Sequence, residues 1–466
     1  MSDQTPERAT SRQRGLKDVI DDSSFWTVSD RELLSLIKAE FPLELQRLHR
    51  ATFVRDSDAP SPDGPSISET LYGHDYPEVN RTLLGILALR WLWNDEYGAF
   101  VGTQPSPVRL ARESFNWLRQ IYITGLKSAE EIYTLITCMV INDLGKDPNL
   151  ATEYAAKEGL DVSNVNHDMI LYRAVEAGMI EALDRLAENY KQDVLLGIKL
   201  GSSFNFGQLA QAENAPASLT GLAEMRDHDR AFELRYMEQV LDLAGASGHE
   251  DWTCAKKMVE PVFESYRTVY DVAGAIIAGD TSFRDAYDIV LIRKAELLHR
   301  LGYQRVFDVK DNRDRAVMRL FCLANTSNVR DAEMYFESFT ERISEDTRQM
   351  LISGLNVDGT IESPAVQATY IPAMLTRAAS RTLNGTEEEK IKVIGAMLRY
   401  LARCLKVDKS SLSQMPKGVT VIERDVRKII PVLDSEEFKK NPDILDREEI
   451  PSAQVANIAP DIDIGD

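Results

Sequence analysis

Ser128-Ala129-Glu130-Glu131-Ile132-Tyr133-Thr134-Leu135-Ile136-Thr137-Cys138-Met139-Val140 opens as a capping box and continues as one apolar helical face. Ser128 and Glu131 stand three apart, the spacing at which a hydroxyl and a carboxylate satisfy each other's backbone N–H groups at a helix start. Ile132, Leu135, Ile136, Met139 and Val140 then follow the period of a helix packed on one side. The pattern recurs outward. Ser29 with Glu32 precedes Leu33, Leu34, Ile37 and Phe41, and Thr386 with Glu389 precedes Ile391, Ile394, Met397, Leu398 and Leu401. Further helical patterns run near 78–93, 107–123, 168–189, 228–244, 255–277, 285–301 and 330–343. Alternating runs between hairpin turns are nearly absent, and Gly418–Ile422 is the best short strand candidate. The sequence predicts an all-α fold.

Composition narrows the partners. The 466 residues carry a formal charge of −20, so the chain lacks the basic face that duplex nucleic acid or an anionic membrane surface would require. A small basic pocket within an acidic protein stays compatible with phosphate-bearing metabolites. Met1–Gly15 has no apolar secretion core, and no stretch approaches the roughly 20 apolar residues that cross a bilayer. Cys138, Cys254, Cys322 and Cys404 are scattered, without zinc-type pairing. They read as free thiols in a reducing, cytoplasmic setting.

Punctuation suggests an organisation. Residues 1–28 read as a flexible N-terminus, 29–245 as a helical domain, 246–433 as a helical C-terminal part packed on the first, and 434–466 as an acidic, loosely ordered tail. Residues 56–68, rich in Pro, Ser and Asp, read as an exposed loop, and 245–252 as a helix–helix loop.

The helix from Ser128 runs into Ile141-Asn142-Asp143-Leu144-Gly145-Lys146-Asp147-Pro148. A helix fixed by its buried face holds the side chains of its last turn firmly, which favours chemistry there. Equally, Asn142 and Asp143 are suited to closing a helix end and pairing with Lys146.

This segment resembles the HD superfamily of metal-dependent phosphohydrolases, whose signature is an apolar run followed by His-Asp-x-Gly-Lys. Asn142 stands at the histidine position, while Asp143, Gly145 and Lys146 match. The resemblance implies an HD-like helical core at about 105–245, followed by additional C-terminal helices and the acidic tail. It also implies a divalent metal ion, of open identity, on Asp143 and a substrate phosphate near Lys146. His167 and Asp168, 24 residues and more beyond Asp143, fall where a further ligand is expected. The upstream stretch Arg112–Asn116 offers Glu113 in place of a histidine, and Asp227, Asp229 and Asp242 are eligible as the last aspartate. An asparagine oxygen is a weak ligand for transition metals, so a two-metal centre is disfavoured.

A second stretch, 200–222, gathers Asn205, Gln208, Glu213 and Asn214 beside Phe204 and Phe206, a composition suited to binding a polar ligand or to a buried loop. His228 is a candidate late metal ligand or an ordinary helix start. His74 reads as part of a turn, and His49, His249 and His299 sit among surface-like residues. The absence of a P-loop, a dinucleotide fingerprint and a Gly-x-Ser-x-Gly elbow removes those enzyme classes.

Three readings follow. The first is a divergent HD-like hydrolase of a phosphate-bearing small molecule, with Asp143 and Lys146 at its centre and a metal-bound water as nucleophile. The second is a catalytically inactive HD-like protein that binds a ligand or a protein. The third is an all-α isoprenoid-diphosphate enzyme of terpene cyclase type, for which Asp18, Asp21 and Asp22 are the only Asp cluster of the right kind. Substrate and oligomeric state are not encoded in any pattern found.

Overall fold

The computed structural model describes residues 14–53, 61–162, 165–380, 385–407 and 415–459. Among the described residues helices dominate, with one small sheet of three strands, so the fold is all-α in class. Among the described residues, no helix is long and apolar enough to cross a membrane.

The chain forms two compact units. One comprises Met1–Ile198 with Arg230–Glu260, the other Lys199–Asp229 with Pro261–Asp466. This division departs from the expected boundary at 245: the segment 199–229 leaves the first unit before the chain returns to it.

The first unit is built on the Pro77–Trp93 helix, in which residues from Glu78 to Leu92 are almost all buried. A helix buried all round lacks a solvated face, so its polar residues must find partners inside. Arg90 does so through Asp30 and the carbonyls of Trp26 and Val28. The Ala129–Ile141 helix has the capping box expected at Ser128 and buries Ile132, Leu135, Ile136, Met139 and Val140. The Asp229–Gly245 helix ends against Pro77–Trp93 at very short range: a Cβ on Gly245 would lie 2.2 Å from the Arg81 carbonyl oxygen.

In the second unit the Glu387–Cys404 helix, capped by Thr386 as expected, packs its apolar face into a large core. Strands β1 (Ala365–Thr369) and β2 (Val419–Asp425) pair in parallel, and β3 (Gln454–Ile458) adds antiparallel to β2. The strand expected at 418–422 is therefore present, extended to Asp425.

Four expectations change. Residues 1–13 lie outside the described residues. Beyond them the N-terminus is ordered by a short helix, Leu16–Asp21, with Leu16 and Val19 fully buried and Phe25 and Trp26 inside. Residues 54–60 are likewise outside the description, but Ser66 and Ser68 at the end of the expected exposed loop are buried. The pattern over 168–189 divides into His167–Glu176 and a 3-10 turn at Glu181–Arg185, broken at Gly178 with its positive φ. Residues 434–459 are not a loose tail: Phe438 and Leu445 are fully buried, and Gln454–Ile458 forms an edge strand. Residues 460–466 lie outside the described residues.

Gly245→Ala tests the helix contact. Alanine is the better helix former by about 0.5–1 kcal/mol, but its methyl group would enter the Arg81 backbone. The net expectation is destabilisation by about 1–3 kcal/mol in urea unfolding; a neutral or stabilising result would mean that the two helices separate without cost.

Candidate functional site

Asn142 closes the Ala129–Ile141 helix, its N–H bonding to the Cys138 carbonyl at 3.0 Å. A 3-10 turn, Leu144–Lys146, follows, and Asp147 caps the Pro148–Glu158 helix with Pro148 at its first position. Gly145 is required by close approach: a Cβ there would sit 1.9 Å from the His167 carbonyl oxygen. The start of the His167–Glu176 helix can therefore lie directly on the turn. Asp147, fully buried, accepts from Arg47 at 3.2 Å and from Arg50 at 2.7 Å.

Around Asp143 the charges interlock. Asp143 is buried, and its Oδ2 lies 2.9 Å from Lys146 Nζ and 3.5 Å from Arg81 Nε. Arg81 also donates to both oxygens of Asp242, at 2.7 and 2.5 Å, a bidentate pair. Lys146 reaches the buried Glu78 at 3.2 Å, and His249 Nε2 lies 3.0 Å from the other oxygen of Glu78. One turn back, Asn142 Oδ1 accepts from Arg235 Nη1 at 2.9 Å, and the same guanidinium nitrogen pairs with Glu238.

The electrostatics follow from burial and these partners. Burial alone would raise the Asp143 carboxyl, but Lys146 and Arg81 outweigh it and hold Asp143 well below the usual carboxylate range. Burial lowers Arg81, yet Asp242 and Asp143 keep it well above its ordinary value. Burial pushes Glu238 up to about 8, against the pull of Arg235 and with the help of Asp242. Against burial, Glu238 and then Asp168 raise Arg235. A cavity of about 20 Å³ lies beside Asn142, Arg235 and Glu238, room for about one water molecule.

The residues singled out in the sequence are distributed as follows. Asn142, Asp143 and Lys146 share this network. His167 and Asp168 are partly exposed at the start of the adjoining helix, 3.6 Å apart, and Asp168 acts on the network through Arg235. Asp242 is the eligible aspartate that joins, through Arg81. His228 is exposed and belongs to the second unit, as do Asn205, Gln208, Glu213 and Asn214. There, Asn205 caps the Phe206–Ala210 helix, and Gln208 accepts from Gln367 at 2.9 Å. Glu213 accepts from the Ile371 N–H at 3.0 Å and is pushed by burial up to about 8. Asn214 is buried, and neither of its side-chain polar atoms has a hydrogen-bond partner among the described residues. Glu113 stays outside the network; the Pro77–Trp93 helix supplies Glu78 and Arg81 instead. Sequence reading missed these two and His249, whose side chain is largely enclosed rather than surface-like. The signal that was present is a charged pair, Glu78 and Arg81, at the start of a largely apolar helix.

The fold and this network define an all-α protein whose first unit encloses a compensated charge cluster. The chain belongs to the family of unknown function DUF6829, whose model matches residues 34–445. No curated protein matches the chain, and no solved structure does.

Glu238 gives a pH test. Its proton is held more tightly in the folded state (about 8) than at its ordinary value of 4.5. Its stabilising contribution is therefore full below that ordinary value and is lost as pH rises toward about 8, with a slope of about 1.4 kcal/mol per pH unit. Glu238→Gln is expected to flatten the fall in unfolding free energy across this window by up to one proton's worth. Parallel curves for the two proteins would mean that Glu238 is ionised throughout.

Proposed function

We propose that the chain is a non-hydrolytic, HD-like ligand-binding protein in which fixed cations occupy the place where that superfamily carries its metal. The observation that carries this reading is the Arg81 guanidinium, set between Asp143 and Asp242. Asp143 and Asp242 are the matching motif aspartate and an eligible last aspartate. A divalent ion between them would stand against a positive charge already bound there.

The donor set points the same way and does not fit a divalent ion. Lys146, expected toward a substrate phosphate, is spent on Asp143 and Glu78. Asn142 turns its oxygen to Arg235, a cation that an amide accepts from readily and an imidazole N–H does not. The adjacent space of about 20 Å³ admits water but no phosphate ester. Asp143 and Lys146 then act as structural charges, not catalytic ones. The isoprenoid reading loses its support as well, since Asp18 bonds its own helix start at 2.7 Å and Asp22 pairs with Arg14.

Asp143→Ala, examined with elemental mass spectrometry and urea unfolding, separates the possibilities. Removing one partner from a buried ionic network costs about 3–5 kcal/mol, so the variant is expected to be strongly destabilised, and neither protein to hold stoichiometric iron, manganese or zinc. Stoichiometric metal in the wild type, lost in a variant that folds normally, would overturn the proposal and restore the hydrolase reading.

A further inference from the structure

The second unit contains a cleft whose charge runs opposite to that of the whole chain. It has a volume of about 310 Å³ and lies between the Glu260–Ala278 and Phe283–Arg300 helices. Val290, Arg293, Lys294, Leu297 and Arg300 recur at three- and four-residue spacing, so one face of the second helix carries three cations over an apolar base. The first helix answers with Glu264, Arg267 and Asp271 at the same spacing. Four cations thus meet two carboxylates in a chain of net charge −20.

We infer that this cleft binds a phosphate-bearing small molecule, with Arg267, Arg293, Lys294 and Arg300 on the phosphate and Glu264 and Asp271 accepting from hydroxyls of the remainder. Lys294 lies deepest. It is partly buried, and its one hydrogen bond among the described residues, to the Thr326 carbonyl at 2.9 Å, leaves two ammonium donors for a ligand. Burial lowers its pKa, an unfavourable placement that a bound anion would relieve. Arg300 makes no ion pair or hydrogen bond with other described residues, and Arg293 reaches only Glu296, at 3.6 Å on the exposed side. Such an exposed pair is worth little, so neither guanidinium is committed. Arginine forks match the oxygens of a phosphate, and their charge-assisted bonds are strong in a cleft. The volume falls at the lower end of small-molecule sites, and the polar lining suits a sugar phosphate better than an apolar ligand. Cys322 at the base is pushed by burial up to about 11, so it is a neutral thiol and the site is one of binding, not of thiolate chemistry.

This inference does not depend on the Asp143 network, and its test is separate. Isothermal titration of the full-length protein with inorganic phosphate and with glucose 6-phosphate, at low and matched ionic strength, is the measurement. Both should bind, glucose 6-phosphate more tightly. Arg300→Gln, at an exposed position, and Lys294→Met should each weaken both ligands about tenfold. Glu264→Gln should weaken glucose 6-phosphate alone. Absence of phosphate binding, acetate binding as tight as phosphate, or unchanged affinity in a folded Arg300→Gln protein would overturn the assignment.

Discussion

Arg81 carries its charge on a helix held in the core, with only 19% of its side chain exposed, and the charge cluster of the first unit is arranged around it. The Pro77–Trp93 helix is buried on nearly every side. Desolvating a guanidinium costs several kcal/mol, and only well-aligned countercharges offset it. Asp242 supplies a bidentate pair and Asp143 a second carboxylate. The first requires the Asp229–Gly245 helix to approach very closely, which the missing side chain of Gly245 permits. Once Asp143 is drawn to Arg81, Lys146 follows to Asp143 and Glu78, and His249 closes on the far oxygen of Glu78. The ion pairs and the helix packing are one constraint seen from two sides.

That dependence explains what the sequence disclosed and what it concealed. Local signals were legible: the capping boxes at Ser128 and Thr386 and the apolar faces that follow them are built as their spacing implies. Strand β2 was visible, but β1 was not, because all five of its residues are buried and no alternation marks it. The ordered N-terminus and the ordered 434–459 segment were obscured by their charged composition, although Leu16, Val19, Phe438 and Leu445 anchor them. At the candidate site, Asn142, Asp143 and Lys146 stood out because they are adjacent in sequence. Arg81 and Asp242 are 161 residues apart, and nothing in the period of either helix announces their pairing.

Under the HD-like reading proposed above, asparagine at position 142 is the more instructive feature. An imidazole suits a transition metal, whereas a carboxamide oxygen suits a hydrogen-bond donor. Here that oxygen faces Arg235, which also meets Glu238 and feels Asp168. Under the reading proposed above, replacing the ion with guanidinium groups and replacing the histidine with asparagine are a single chemical change. Each fixed cation needs neutral or anionic oxygens, and an imidazole at this position would bring a second possible positive charge.

The second unit uses buried arginine differently, and the contrast bears on where a ligand can act. Arg319, nearly inaccessible, donates to the carbonyl oxygens of Ala212, Asn214 and Leu355 at 2.8–3.0 Å and to that of Glu213 at 3.3 Å. Its countercharge is a ring of peptide dipoles, and burial lowers its pKa accordingly. This ties the backbone of residues 212–214 to the guanidinium. Arg81 and Arg319 are thus consumed by the fold, one by carboxylates and one by carbonyls. Arg293 and Arg300 are not: Arg293 has only an exposed pair with Glu296, and four cations against two carboxylates leave their cleft a net positive charge for an anion.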